Sequence, residues 1–468
     1  MPKDLDSMLV PLPEPLYSSP YQNGITDPIW PAEFDGGMDI RQIAELLGKL
    51  NRSGRLSGDS PPPPGEAELR AQYMSDYAGR TARQNNLTLI RANVLSNDRA
   101  ELVDILRLLT QFAVEEMERK PSIAHVAVLE HIPASYRVTV TFGFGATLFI
   151  DPAGADRFGL RARKPKYLKP MPRFPGDAAH FDPAKTGTDL LIAVCSDHPY
   201  VNVATSRFFV EFFNRRFREA HAEIPAGRDV LDFVSIEEGF ARKDKREFLR
   251  FDDGVDNVHM GPDDLHRFVY VEETDGEPAW CVNGSYVVYR KIREDMPRWE
   301  TMKEAEQERH IGRHKDSGKP LSRQVEGEDG MLPVYPDPAD AADGPLNSHV
   351  RKVQPRRSEP DLFGLPDLER RFVRRPYPFF DGLDPATGSV INGLQFVAFM
   401  KSIQQQFEHV TNMWQMNPDF PVPGTGIDVM FANKILSVID GGYYFCPPGL
   451  REPEDYIGAP LFEGLPEW

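Results

Sequence analysis

The amino-acid sequence predicts an α+β fold in which two similar units follow an irregular N-terminal extension. Residues 1–85 are rich in proline and glycine and contain the breaker stretch "SGDSPPPPGE" at 57–66. Residues 86–240 show strand-like and helix-like patterns in the order β-α-β-β-α-β, which is the order of the ferredoxin-like unit. Residues 241–468 show the same alternation without repeating the sequence. We therefore predict an extension at 1–85 and two α+β domains at 86–240 and 241–468.

The extension and the first domain differ in their hydrophobic patterns. In the extension only "DIRQIAELLGKL" (39–50) predicts a helix, and we expect the rest to wrap a partner surface or to be partly disordered. In the first domain, "NLTLIRANVL" (86–95) alternates like a half-buried strand, and leucines recur at helical spacing through 96–120. The other predicted elements of this domain are strands at 136–149, 188–197 and 229–240 and a phenylalanine-rich helix at 201–221.

The second domain contains further strands and helices around a long loop. Its predicted elements are strands at 283–292, 392–402 and 441–449 and helices at 301–315 and 403–414. An acidic loop with four prolines (327–348) leads to His349. His310 and His314 lie four residues apart in the first of these helices. We interpret both as solvated, because no motif for a third metal ligand follows them.

Composition limits the partners and the location of the chain. Its 468 residues carry a net charge of −17, which argues against nucleic acid or an anionic membrane as a partner. Three widely spaced cysteines indicate reduced thiols rather than a disulfide framework. No run approaches the roughly 20 apolar residues of a spanning helix, and we find neither a signal peptide nor a twin-arginine signal. These features predict a soluble, cytoplasmic protein and leave a homo-oligomer open.

Three segments carry the candidate chemistry. The segment "SHVRKVQPRR" (348–357) sets His349 among cations that include Arg351 and Arg356. The segment "EGFARKDKREFLRFDDGVDN" (238–257) ends in paired carboxylates, and "RRFVRRPYPFFDG" (370–382) places four arginines beside a turn fixed by proline. Each segment alone is explained as well by a surface turn or a solvated charge run.

Taken together, the three segments match the needs of a haem peroxidase. A histidine can supply the axial ligand of haem iron, and nearby arginines can pair with the two haem propionates. On the opposite face, a peroxidase needs one group that moves a proton between the peroxide oxygens. It also needs a cation that stabilises charge on the departing oxygen. A loop carboxylate and an arginine behind a rigid turn would supply both.

In this order and spacing the segments resemble the dye-decolourising (DyP-type) haem peroxidase family. The family's GxxDG motif resembles "RFDDG" (250–254), which makes Asp253 the distal acid–base residue. Its proximal motif resembles "HVRKVQPR", which makes His349 the iron ligand, and "RRPYPF" matches the distal arginine at Arg374. The resemblance runs from about residue 86 to 449. It implies two ferredoxin-like units packed as in a dimeric α/β-barrel, with one haem b held mainly by the second unit.

The chain departs from the family pattern at two places that matter for the site. Arg250 stands where the motif has glycine, and we expect it to contact a propionate or to narrow the distal pocket. Family members often have a carboxylate behind the proximal histidine, where it makes the imidazole a stronger donor. Asp428 is the only acid in the corresponding stretch "GIDVMFANKIL" (426–436). The sequence does not fix its register relative to His349.

The resemblance implies an enzyme that uses hydrogen peroxide to oxidise phenolic, dye-like or other bulky donors. The alternative is a haem-handling protein of the deferrochelatase kind in which peroxide turnover is incidental. A third class, a module that has kept the fold and lost haem, fits poorly with the joint presence of Asp253, His349 and Arg374. Core packing and electron relay explain one set of aromatic residues equally well, namely Trp280, Trp299, Trp414, Tyr443 and Tyr444.

Overall fold

The computed structural model describes residues 84–465, apart from 118–137, 183–186, 197, 222–223, 226, 242–245, 253–256, 259–261, 325–332, 335–343, 358, 386 and 451–454. Several predicted features lie outside the described residues. These are the extension up to residue 83 with its helix at 39–50, most of the acidic loop, and Asp253.

Nine strands form one antiparallel sheet, in the order β4-β1-β3-β2-β11-β5-β10-β8 with β9 also paired to β10. In chain order the strands are β1 Asn86–Val94, β2 Thr139–Gly145, β3 Leu190–Ser196, β4 Leu231–Phe240, β5 Ser285–Glu294, β8 Val373–Arg374, β9 Tyr377–Leu383, β10 Val390–Met400 and β11 Leu436–Cys446. A separate short ribbon pairs β6 (Arg323–Gln324) with β7 (Pro333–Val334).

The sheet consists of two ferredoxin-like halves joined edge to edge. The first half has the order β4-β1-β3-β2, and the second has β11-β5-β10 followed by β8 and β9. In each half the first strand lies between the last two of the pattern: β1 lies between β3 and β4, and β5 lies between β10 and β11. The halves meet where Gly145 and Phe144 of β2 pair with Tyr444 and Phe445 of β11. The predicted fold of two ferredoxin-like units is therefore confirmed.

The two outer edges of this sheet also meet, so the sheet closes on itself as a barrel. Strand β4 lies against β9, and Gln395 Nε2 donates a hydrogen bond of 2.9 Å to the carbonyl oxygen of Glu238. Inside the barrel, Lys291 of β5 pairs with both Glu237 of β4 and Asp381 of β9. These charges are tolerated in the interior because each has an opposite partner.

Helices cover the outer face of the sheet. They are α1 Arg99–Met117, α2 Ala146–Phe149, α3 Pro199–Arg207, α4 Phe213–Ala220, α5 Pro262–Phe268, α6 Met296–Glu300, α7 Glu304–Ile311, α8 His349–Val353 and α9 Val429–Ala432. Three π-helical segments are Phe208–Phe212, which joins α3 to α4, Gln404–Glu408 and Val410–Gln415. Leu102, Leu106 and Leu109 of α1 are fully buried, as their spacing predicts. In the described part of the chain no helix has both the length and the apolar character needed to cross a membrane.

Three element predictions are wrong for identifiable reasons. The predicted strand 136–149 ends at Gly145 and continues as the short helix α2. The predicted helix 301–315 is shorter than expected, since α7 covers only Glu304–Ile311. The turn predicted around Pro376 is in fact two short strands, β8 and β9, that pair with β10. Proline is compatible with strands at the edge of a sheet, where one row of backbone groups needs no partner.

We predict that Gly145→Ala disrupts the junction between the two halves. A Cβ atom at this position would lie 1.8 Å from the backbone oxygen of Thr188, so the strand would have to move. The substitution should lower the free energy of unfolding by about 3 kcal/mol or more, as for severe overpacking. Gly154→Ala is the control, because nothing lies within 4 Å of that Cβ position, although its φ of +83° favours glycine. Equal urea midpoints for the two variants would contradict the close approach at Gly145.

Candidate active site

A large cleft lies between the outer face of β5 and β10 and the segment that carries α8. It is partly open to solvent and has a cavity volume of about 250 Å³. Its walls are mainly apolar and include Ile292, Leu394, Phe396, Val410, Trp414 and Met430. Its charged groups are mostly arginines, among them Arg313, Arg356, Arg371 and Arg374. A cleft with apolar walls and a few cations suits a flat ligand that has an apolar body and anionic groups.

His349 is the first residue of α8 and lines this cleft. Its Nδ1 lies 2.6 Å from Oδ2 of Asp428, whose side chain is completely buried. A carboxylate accepts, so Nδ1 carries the proton and Nε2 keeps its lone pair. Nε2 is therefore the ring nitrogen of His349 that can bind a metal.

The carboxylate of Asp428 is fixed by two groups besides His349, and its backbone is fixed by a third contact. Its Oδ1 accepts from the backbone N–H of Met430 at 3.0 Å, which caps α9, and its Oδ2 also accepts from Gln415 Nε2 at 3.0 Å. The backbone N–H of Asp428 donates to the carbonyl oxygen of Gln415 at 2.9 Å. The structure thus supplies the register that the sequence left open, since Asp428 stands directly behind His349.

Three arginines gather at one side of the cleft. Burial, together with the positive charge of Arg371, lowers the pKa of Arg356 to about 10. Burial also lowers the pKa of Arg371, with Asp264 opposing the shift and Arg374 adding to it. Like charges that crowd in a partly buried site disfavour one another, so an anion that enters between them would be stabilised.

Two cations that the sequence proposed as cofactor contacts point elsewhere. Arg351 is buried and donates from Nη1 to the carbonyl oxygen of Gly344 at 3.1 Å, outside the cleft lining. Arg250 has a side chain that is 66% exposed and stands 3.8 Å from Glu300. Its φ is +71°, so the motif's glycine suits this position because of the backbone conformation. The expected contact of Arg250 with a propionate or with the distal pocket stays a prediction.

The cleft also holds Arg374, whose backbone is bonded to a residue that the sequence analysis missed. Arg374 belongs to β8 and lines the cleft. The amide of Asn257 clamps its backbone, because Oδ1 accepts from the N–H of Arg374 at 3.0 Å and Nδ2 donates to its carbonyl oxygen at 2.8 Å. Asp253 lies outside the described residues, and its neighbour Asp252 lines the cleft. The carboxylate-bearing loop therefore reaches the cleft near Arg374.

The sequence analysis also missed two arginines of the cleft, Arg313 and Arg371. Arg313 belongs to the stretch "ERHIGRHKDSGKPL" (308–321), is buried, and lines the cleft. Arg371 stands in the quoted segment 370–382, but nothing in its local sequence separates it from the three other arginines there.

The prediction that His310 and His314 are both solvated holds for only one of them. His310 is 7% exposed rather than solvated, because its Nδ1 is bonded to the Glu306 carbonyl oxygen and its Nε2 to the Asn433 amide. His314 is half exposed, as predicted. Within the described residues, no group of three or more His, Cys, Asp or Glu side chains could hold a metal ion.

Comparison with known proteins agrees with this geometry. The model for the N-terminal part of Dyp-type peroxidases matches residues 80–217, and the model for their C-terminal part matches residues 244–451. A deferrochelatase of Shigella flexneri serotype 5b (strain 8401) is 28% identical over 441 residues, which cover 90% of this chain and 93% of the relative. A deferrochelatase of Escherichia coli (strain K12) is 28% identical over 442 residues, with 90% and 92% covered.

Solved structures show the same relationship. DtpA from Streptomyces lividans, described as an X-ray generated oxyferrous complex, has a TM-score of 0.64 and 26% identity, with 82% of this chain and 94% of that chain covered. A DyP-type peroxidase from Streptomyces coelicolor has a TM-score of 0.63 and 26% identity over the same shares. The two family models together span most of the sequence. The chain therefore belongs to the DyP-type peroxidase family, whose members are haem-dependent oxidoreductases that act on peroxide.

Proposed function

We propose that this protein binds one haem b through His349 and uses hydrogen peroxide to oxidise phenolic, dye-like or other bulky electron donors. The observation that carries the proposal is the 2.6 Å contact between His349 Nδ1 and Asp428, which leaves Nε2 as the metal-binding nitrogen at a cleft lined by arginines. A strongly donating imidazole is the ligand that a peroxidase requires, because it favours the oxidised states of iron.

The donor set of the cleft fits haem. Nε2 of His349 would bind the iron, the apolar walls would contact the porphyrin ring, and Arg356 and Arg371 would pair with the propionates. When bound, haem supplies the redox chemistry: peroxide accepts two electrons and two protons and leaves as water, and donors return the electrons one at a time. Arg356 and Arg371 take the place of the Arg351 contact that the sequence suggested.

The distal residues act on the proton and on the charge of the peroxide. Asp253 would accept the proton of the oxygen that binds and return it to the oxygen that leaves. Arg374 would orient the peroxide and stabilise negative charge, whereas a guanidinium is not a group that carries the proton. Support for Arg374 is its place in the cleft, with its backbone clamped by Asn257.

Haem handling is the second candidate function. It is favoured by the relatives named deferrochelatase, which are 28% identical to this chain over most of its length. Such a protein would also need His349 and the arginines. The two functions therefore differ in what happens to the bound haem and the donor, rather than in the cleft itself.

Four further predictions from the sequence belong to this proposal. We expect a cytoplasmic location, no nucleic-acid partner and no membrane partner, and we leave a homo-oligomer open. The division of the chain at residues 85/86 and 240/241 is likewise kept as our proposal for its domains.

The function is tested by loading the protein with haem and adding peroxide and an anthraquinone dye. We expect a Soret band and loss of dye that depends on peroxide. His349→Ala should abolish stoichiometric haem binding, whereas His314→Ala, which changes a half-exposed histidine outside the cleft lining, should not. Full haem occupancy of the His349 variant with an unchanged spectrum would refute the ligand assignment. Haem uptake followed by release of iron, with no dye oxidation, would favour haem handling.

Replacing Arg356 and Arg371 together by glutamine should speed the dissociation of haem. Each lost charged hydrogen bond should weaken binding by roughly 1.5–3 kcal/mol. Arg351→Gln is the matched control, because Arg351 is buried against Gly344 and lies outside the cleft lining. Haem transfer to apomyoglobin measures the rate. If Arg351→Gln released haem as fast as the double variant, the propionate contacts would belong to Arg351 after all.

The two distal residues should give different pH profiles. Asp253→Asn should slow the first consumption of peroxide by ~10²–10⁴-fold, the typical contribution of an acid–base group, and should alter the acid limb of the pH–rate profile. Arg374→Leu should slow the same step but leave the apparent pKa of that limb in place. Asp252→Asn, the adjacent carboxylate at the cleft, is the control in stopped-flow mixing. If Asp252→Asn rather than Asp253→Asn changed the acid limb, the assignment of Asp253 would be wrong.

A further inference from the structure

Lys352 is completely buried and sits one helical turn after His349 in α8. Its ammonium group donates three hydrogen bonds to backbone carbonyl oxygens. The acceptors are Asn417 at 2.7 Å, Phe420 at 2.5 Å and Gly426 at 2.9 Å. We call these three oxygens the carbonyl cage. An ammonium has three donors and no acceptor, so the cage satisfies Lys352 completely.

All three cage oxygens belong to the loop that leads to Asp428. This loop begins after the π-helical segment Val410–Gln415 and ends where Asp428 caps α9. Its two ends are tied together, since the N–H of Asp428 donates to the carbonyl oxygen of Gln415 at 2.9 Å. Helix α8 therefore contacts one loop twice: His349 bonds its end at Asp428, and Lys352 bonds its middle.

The positive charge of Lys352 interacts favourably with the negative charge of Asp428. Burial lowers the pKa of Lys352 to about 8, and the negative charge of Asp428 opposes that shift. The amine is therefore still mainly an ammonium at neutral pH. The side chain of Asp428 is fully buried, and the buried cation of Lys352 offsets part of the cost of removing a carboxylate from water. Loss of Lys352 would remove this cation and take the ammonium donor from three carbonyl oxygens, of which that of Phe420 is in a buried contact.

We propose that Lys352 is a positioning residue for the iron ligand: by filling the carbonyl cage it holds the loop in the place where Asp428 meets His349. This inference rests on the proposed function, since it assumes that His349 binds haem iron. It predicts that Lys352 acts on the iron only through Asp428. The lysine itself contacts the loop oxygens rather than the cofactor.

The test is the iron–imidazole stretching frequency of the haem-loaded ferrous protein, measured by resonance Raman spectroscopy. The hydrogen bond to Asp428 makes the imidazole a stronger donor, so Asp428→Asn should shift the frequency down. Lys352→Met, which keeps the length of the side chain but removes the charge and the donors, should shift it in the same direction. It should add no further shift in the Asp428→Asn background. Lys434→Met, at an exposed lysine just after α9, should leave the frequency unchanged.

A merely structural lysine gives a different result. In that case Lys352→Met would lower the thermal midpoint while the frequency stayed at the wild-type value, and the proposal would be overturned. Failure of the proposed function is distinguishable, because the wild-type protein would then show no iron–imidazole band at all.

A second variant covers the case in which Lys352→Met does not fold. Lys352→Ala opens the carbonyl cage to an ammonium ion from solution, which offers the same N–H donors. The frequency should move towards the wild-type value in ammonium chloride but not in tetramethylammonium chloride of equal ionic strength, since that cation has no N–H group. A wild-type frequency in both salts would refute the positioning role.

Discussion

The hydrogen bond between His349 and Asp428 is the interaction on which the rest of the site depends. It joins two atoms 2.6 Å apart and involves a carboxylate with no solvent exposure. An ionised group is stable in such a place only when its oxygens are satisfied, and here Gln415, the N–H of Met430 and His349 satisfy them. Because Nδ1 must donate to this carboxylate, the tautomer of His349 is fixed. Its metal-binding atom is determined before any ligand arrives.

The arginines at the other side of the cleft repel one another, whereas the carboxylate of Asp428 is stabilised by its hydrogen-bond donors. Arg356, Arg371 and Arg374 have the same sign, and burial together with their mutual repulsion lowers the pKa of the first two. Two carboxylates placed among them would relieve this repulsion and raise both pKa values again. Cofactor binding and stability are therefore coupled: an anionic ligand that binds only the folded chain shifts the folding equilibrium towards it.

The sequence predicts the elements of the fold better than the directions of its side chains. Hydrophobic spacing located β1, α1 and β3, although β1 is buried on both faces rather than half-buried as predicted. Arg351 misled because it lies two residues after His349 in a helix, and residues at that spacing do not share a face. Arg371 was missed because only tertiary structure brings it to the cleft. Asn257 was missed because only tertiary structure brings its amide to the backbone of Arg374. Asp428 was a candidate whose register depended on how a loop closes.

Ion pairs inside the barrel connect the strand that forms the cleft wall in the second half to the first half. Along β5 the side chains alternate, so Lys291 faces the barrel while Arg290 and Ile292 line the cleft. Lys291 bonds Glu237 of the first half, and Arg91 of the first half pairs with Asp440 of β11. A slip of β5 by one residue would turn Lys291 into the apolar cleft and Arg290 into the barrel. The ion pairs that join the two halves therefore also fix the register of the cleft wall.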